Sequence, residues 1–153
     1  MKIIINRIIF SFCLFIWLLS PSETAAENKD VSNEIAVVVN PQNKVENLTS
    51  RQISDIFLAR SRTFPSGEAV MVLEQKWNGA LREKFFHLLN GMSLKRINAY
   101  WARLQFSGEI QPPPLMPNDI KMRDAVRKNR NAIGYMATEY VDESIRVILI
   151  LRE

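Results

Sequence analysis

Two groups of residues in this chain have the types and spacing to do chemistry. The first lies where a helix opens at Gly79-Ala80. The first turn of a helix leaves backbone N–H groups without acceptors and carries a partial positive charge, which suits an anion. Lys76 and Arg82 flank that start. Every helix has such a start, so by itself it names no ligand. The second group pairs Tyr100-Trp101 with Arg96 and Arg103 and has the composition of a stacking surface for a base or a sugar. Its competing reading is core packing, because Trp101 shares a three-and-four spacing with Leu94, Ile97 and Leu104. Lys121, Arg123, Arg127, Lys128 and Arg130 form a basic tract at another helix C-terminus. There they complement the helix dipole, and a solvated face is the default reading.

Hydrolytic, nucleophilic and metal chemistry find little support. The only histidine, His87, sits opposite Phe85 on its helix and reads as a surface residue. Gly-x-Ser-x-Gly, His-Glu-x-x-His and phosphate-loop patterns do not occur. One His and one Cys cannot build a transition-metal cluster. Asp142 and Glu143 are adjacent, so on a strand or loop they point apart. No enzyme activity and no cofactor is expected.

The elements that must position these residues start after a leader. Lys2 and Arg7 precede an apolar run, Ile8–Leu19, and Ser20-Pro21 breaks it. Thr24 and Ala26 supply the small residues of a signal-peptidase site, so residues 1–26 read as a signal peptide and 27–153 as a single exported domain. The run is shorter than the ~20 residues of a spanning helix, so no membrane span is expected after cleavage. Cys13 follows Phe12 rather than the small residue of a lipoprotein signal and leaves with the leader. Losing Lys2, Arg7 and Glu23 takes the net charge from +4 to +3, too mild to argue for nucleic acid.

Ile35–Val39 is an unbroken β-branched run and reads as a strand buried on both faces. Thr49 and Gln52 form a capping box, with Leu48 and Ile53 as its hydrophobic staple and Ile53, Ile56 and Phe57 as the buried stripe. Pro65-Ser66-Gly67 is a turn, and Ala69–Leu73 a second strand. Leu81, Phe85, Leu88 and Leu89 face inward from the next helix, which Gly91 ends. Ser93 caps the helix of Trp101, and Asn118 caps one running to about Asn129. Ala132–Met136 and Ile145–Leu151 are the last strands. The predicted order is β-α-β-α-α-α-β-β, an α/β domain with a helix-covered sheet.

Several of these pieces together resemble one family. They are Asn40-Pro41, Leu48–Leu58 with its closing Asp55-Ile56-Phe57-Leu58, Phe64-Pro65-x-Gly67 and Leu81-Arg82-Glu83-Lys84-Phe85. Tyr100-Trp101-x-Arg103-Leu104-x-Phe106-Ser107-Gly108, Pro112-Pro113 and Ala132-Ile133-Gly134-Tyr135 complete the set. From Ile35 to Leu151 the chain resembles the second lobe of phosphate-type periplasmic solute-binding proteins, and in particular the short, single-lobe phosphate ABC transporter substrate-binding-like proteins. The resemblance implies one lobe of a type 2 periplasmic-binding-protein fold, a mixed sheet flanked by helices, and a periplasmic location.

It also implies a site. In the full-length family phosphate lies between two lobes, and one lobe supplies an Arg and, four residues on, Ser-Gly-Thr at a helix start. Those positions fall here on Gln75 and Gly79-Ala80-Leu81, so the Arg and both hydroxyls are missing. The candidate ligand-binding residues that remain are Lys76, Asn78, Gly79, Ala80, Leu81 and Arg82. The expected function is a periplasmic solute-binding-like protein that binds phosphate or another small anion weakly. The alternative is a ligand-free module that docks on an envelope or ABC-transporter protein. Export is checked by mass spectrometry of the soluble periplasmic fraction, where the mature chain is expected to begin at Glu27; an intact Met1 end in the membrane fraction would overturn it.

Overall fold

The computed structural model describes residues 34–76, 79–108 and 110–153. The expected leader, Cys13 and the polar stretch up to Asn33 lie outside them. So does Asn78.

The central strand is β1, Ile35–Val39, buried along its whole length. It pairs antiparallel with β5 (Ala132–Ala137) on one side and with β6 (Arg146–Leu151) on the other. The short β2, Met71–Val72, joins β5 in parallel, so the sheet runs β2-β5-β1-β6 and is mixed. Alternate side chains of β1 enter different cores, which is why an unbroken apolar run is needed. Ile35, Val37 and Val39 join Ile53, Phe57, Phe85 and Trp101 on the side of helices α1 (Ser50–Phe57), α2 (Ala80–Asn90) and α3 (Leu94–Phe106). Ala36 and Val38 meet Met122 and Val126 of α4 (Asp119–Lys128) on the other side. Each fully buried Ile, Val or Phe contributes ~1.5–3 kcal/mol of transfer energy.

The helices start where the caps put them. The Thr49 hydroxyl accepts from Gln52 N (3.2 Å), and Gln52 Oε1 accepts from Thr49 N (2.9 Å). Ser93 and Asn118 cap α3 and α4. Gly91, at φ 68°, ends α2 in the left-handed region that favours glycine. Gly134 of β5 lies directly beneath α4: a Cβ there would overlap Met122 Sδ, so this glycine sets how closely helix and sheet approach.

The expected strand Ala69–Leu73 is shortened to β2, and the chain changes partner directly after Leu73. Met71 N donates to Asn131 O (2.8 Å) and Leu73 N to Ile133 O (2.9 Å), both on the β5 side. The next amide, Glu74 N, donates to Pro114 O (3.0 Å) instead. The chain thus leaves the main sheet and forms β3 (Glu74–Gln75), parallel to β4 (Leu115–Met116). This second, two-stranded sheet delivers the chain to the start of α2.

Trp101 is 1% exposed, within the stripe proposed for it, and its neighbour Tyr100 meets it edge-on at 6.0 Å. Core packing is therefore its role. Trp101→Ala is expected to cost about 3–5 kcal/mol in urea unfolding; a loss under ~1 kcal/mol would contradict this packing.

Candidate anion site

β3 and α2 are joined by the four-residue link 76–79. Four amides open α2: those of Gly79, Ala80, Leu81 and Arg82. Gly79 N donates to Lys76 O (3.1 Å), and Arg82 N donates to Gly79 O (3.1 Å). Ala80 and Leu81 are left as the amides of this helix start with no acceptor among the described residues. Gly79 is extended (φ −83°, ψ 141°) and offers no side-chain cap. A Cβ at Gly79 would stand 3.3 Å from Lys76 O, so the glycine allows a tight turn. Lys76 and Ala80 are exposed, while Gly79 and Leu81 are half-buried. Leu81 packs against the larger core. Of the candidate residues, Lys76, Gly79, Ala80 and Leu81 are brought together at one helix start.

Arg82 behaves differently from the expectation that it flanks an anion from the surface. Its side chain is fully buried. Nε donates to Glu74 Oε2 at 2.6 Å and Nη1 to Asn98 Oδ1 at 2.7 Å, and the guanidinium lies 5.3 Å from the centre of the Phe86 ring. The physical reason is the helix phase: Arg82 stands three and four residues before Phe85 and Phe86, on the buried face. Its charge would be costly there without the Glu74 carboxylate, itself 2% exposed.

Gln75 also turns inward. Its Nε2 donates to Asp119 Oδ1 (3.0 Å) and to Tyr135 O (3.1 Å). Asp119, in the first turn of α4, accepts from Ala137 N as well (3.3 Å). The buried group thus runs Asn98–Arg82–Glu74, with Tyr135, Gln75 and Asp119 beside it. Burial pushes the Glu74 carboxyl up, and the Arg82 charge pulls it part of the way back. Burial first, and the Glu74 charge second, hold the Tyr135 hydroxyl well above the usual tyrosine range. Neither that hydroxyl nor Glu74 Oε1 makes a hydrogen bond of ordinary geometry, although the two are within electrostatic reach. Burial also raises Asp119, against the bonds from Ala137 and Gln75.

Sequence reasoning missed Glu74, Asn98, Asp119 and Tyr135. The available signal was a charged residue directly after a buried strand, with an Arg on an apolar helix stripe eight positions on.

The other candidates separate cleanly. His87 is exposed. In the basic tract Arg123 bonds Asp142 (2.9 Å) and Arg127 and Arg130 lie near Asp124 and Glu68 (3.5 and 3.7 Å), a partly neutralised, solvated face. Ser144 holds the Asp142 carboxyl below the usual range by hydrogen bonds to its side chain. No group of His, Cys, Asp and Glu suited to a metal occurs among the described residues, and no described helix is long and apolar enough to cross a membrane.

Comparison of the whole architecture with solved structures then decides the fold. A phosphate ABC transporter substrate-binding protein from Clostridium perfringens, solved with bound phosphate, superposes with a TM-score of 0.59 at 21% identity, over 74% of this chain and 43% of its own. An ABC-type phosphate transport receptor from Vibrio cholerae gives 0.58 at 21%, over 74% and 44%. PstS from Borrelia burgdorferi gives 0.58 at 10%, over 74% and 46%. The chain has the fold of part of a phosphate ABC transporter substrate-binding protein. It spans less than half the length of those three proteins, and its mixed, helix-flanked sheet is the fold class expected from sequence. No family model matches the chain, and no curated protein matches it.

The Glu74–Arg82 pair generates a test. Arg82→Ala strands a buried carboxylate and is expected to destabilise by about 3–5 kcal/mol. Replacing both partners together, Glu74→Leu with Arg82→Met, is expected to cost clearly less. Urea unfolding of the two variants checks this; equal losses would show that the pair does not act as a unit.

Proposed function

We propose that this chain is an exported, single-lobe solute-binding-like protein that takes a phosphate-class anion weakly at the start of α2, and that it is not an enzyme. The observation that supports this reading is the pair of unengaged amides, Ala80 and Leu81, beside the exposed Lys76. They belong to a fold shared with proteins named for phosphate transport, one of them solved with phosphate bound. Asn78 completes the proposed ligand set by sequence. Arg82 contributes from beneath, by holding the helix start to β3, rather than as a ligand.

The affinity follows from what faces outward. A dehydrated phosphate needs many charge-assisted hydrogen bonds from a closed site. Here two amides, one flexible ammonium and the helix dipole are available, and the dipole is worth only ~0.3–1 kcal/mol in the open. An affinity on the order of millimolar, about −4 kcal/mol, is the expected result. It should weaken with added salt, since the charges are open to screening.

The alternative, a ligand-free module docking on an envelope or ABC-transporter protein, draws its support from Gln75 and Arg82. Both are engaged inside the fold, leaving an outward surface poor in anion ligands. A phosphate titration followed by amide chemical shifts separates the two readings. Shifts centred on residues 76–81, weakened severalfold in Lys76→Ala, are expected for the anion reading. Saturating phosphate that moves no amide in that segment would leave the docking reading.

A further inference from the structure

Helix α3 has an outward face that neither the fold nor the proposed anion site uses. Arg96, Ala99, Arg103 and Phe106 recur at spacings of three and four, so they share one side of the helix. Arg60, just beyond the end of α1, joins Met92, Arg96, Ala99, Tyr100 and Arg103 around a concavity of about 530 Å³. The three guanidiniums have almost no acidic company. Arg60 is 3.5 Å from Asp55, while Arg96 and Arg103 have no carboxylate partner among the described residues.

Three further facts argue that this charge is not placed for stability. First, α3 contains no acidic residue, and although Arg103 in its last turn suits the helix dipole, Lys95 and Arg96 sit in its first turn, where the dipole opposes cations. Second, Ala59 holds a left-handed φ of 55°, an unfavourable conformation for a residue with a Cβ, and it turns the chain that presents Arg60. Tyr100 fixes the same corner by donating its hydroxyl to Leu58 O at 2.8 Å, and Arg103 lies 5.8 Å from the centre of the Tyr100 ring. Third, Phe106 closes the stripe 96% exposed. Arginine and aromatic residues on one face are the composition of protein–protein hot spots.

We propose that the α3 face running from the Arg60–Arg96–Arg103 concavity to Phe106 docks an acidic, amphipathic segment of a partner protein. Charge complementarity selects the occupant. Arg96 and Phe106 are ten residues apart, ~15 Å along the helix, and a single small oxyanion cannot reach both ends. An acidic segment offers several carboxylates to the arginine forks, which match carboxylate geometry, and an apolar side chain to Phe106. The concave shape fits a chain segment better than a flat lipid surface. This surface involves none of Lys76, Gly79, Ala80 or Leu81, so the inference stands or falls separately from the proposed anion site.

The probe is a synthetic peptide of roughly 14 residues repeating Glu-Glu-Leu-Leu, which spans ~20 Å as a helix. It is titrated into the isotope-labelled full chain. Shifts are expected at Arg60, Met92, Arg96, Ala99, Tyr100, Arg103 and Phe106. Arg96→Gln with Arg103→Gln should weaken binding about tenfold and Phe106→Ser severalfold, with circular dichroism showing both variants folded. Lys121→Gln with Lys128→Gln, and Lys76→Ala, should change it less than about twofold. Three outcomes overturn the proposal: shifts centred on Lys121–Arg130; equal binding of a Glu-Glu-Ser-Ser peptide, which would reduce the effect to bare charge; or failure of the peptide while phosphatidylglycerol vesicles bind through the same arginines.

Discussion

The ion pair between Glu74 and Arg82 is the contact on which the geometry of the candidate site depends. Its partners stand on either side of the link 76–79, one in β3 and one in the first turn of α2. Closing the pair therefore closes the loop between them. Asn98 on the Arg82 side extends the connection to α3. Inside a protein such a pair gives little net stability, because two desolvated charges regain in attraction about what they lose in hydration. What it does give is a penalty for every alternative arrangement, since separating the partners leaves a buried charge alone. The helix start that carries the amides of Ala80 and Leu81 is held in place by that penalty.

The same network explains why the outward surface at this site is sparse. Apart from Lys76, the side chains here that could donate to an oxyanion include Arg82 and Gln75, and the fold has used both. Arg82 neutralises Glu74, and Gln75 ties Asp119 and the Tyr135 carbonyl together. Neither can swing outward without exposing an unmet partner. Fold and ligand strength are therefore separate matters: the fold is similar to that of proteins at 21% identity, while Arg82 and Gln75 are engaged in the interior.

What was legible in the sequence was local or periodic. The Thr49–Gln52 capping box, the Gly91 stop and the Ser93 and Asn118 caps are decided within four residues of the chain, and each starts or ends a helix where it was expected. The unbroken run Ile35–Val39 announced a strand between two cores because no surface strand tolerates it. The change of partner after Leu73 was not legible, because the acceptor for Glu74 N is Pro114 O, forty residues away. The inward turn of Arg82 lay in the helix phase, but a charge on an apolar stripe is read as an exception until its partner is found, and Glu74 belongs to a different element. Asn78, the remaining candidate ligand, falls outside the described residues.

Electrostatics divides the molecule's cations into two populations. Arg82, Arg123 and Arg146 are engaged: the first with Glu74, the second with Asp142, the third with the carbonyls of Asn43 and Val45 at 2.7 and 2.6 Å. Arg96 is placed by helix phase and Arg103 by the Tyr100 ring as well, and both are exposed with no carboxylate partner among the described residues. A net charge of +4 is too small to make such clustering a by-product of composition. With acids available elsewhere on the surface for pairing, their absence from all thirteen residues of α3 leaves one face of the helix with a positive potential that no described carboxylate neutralises.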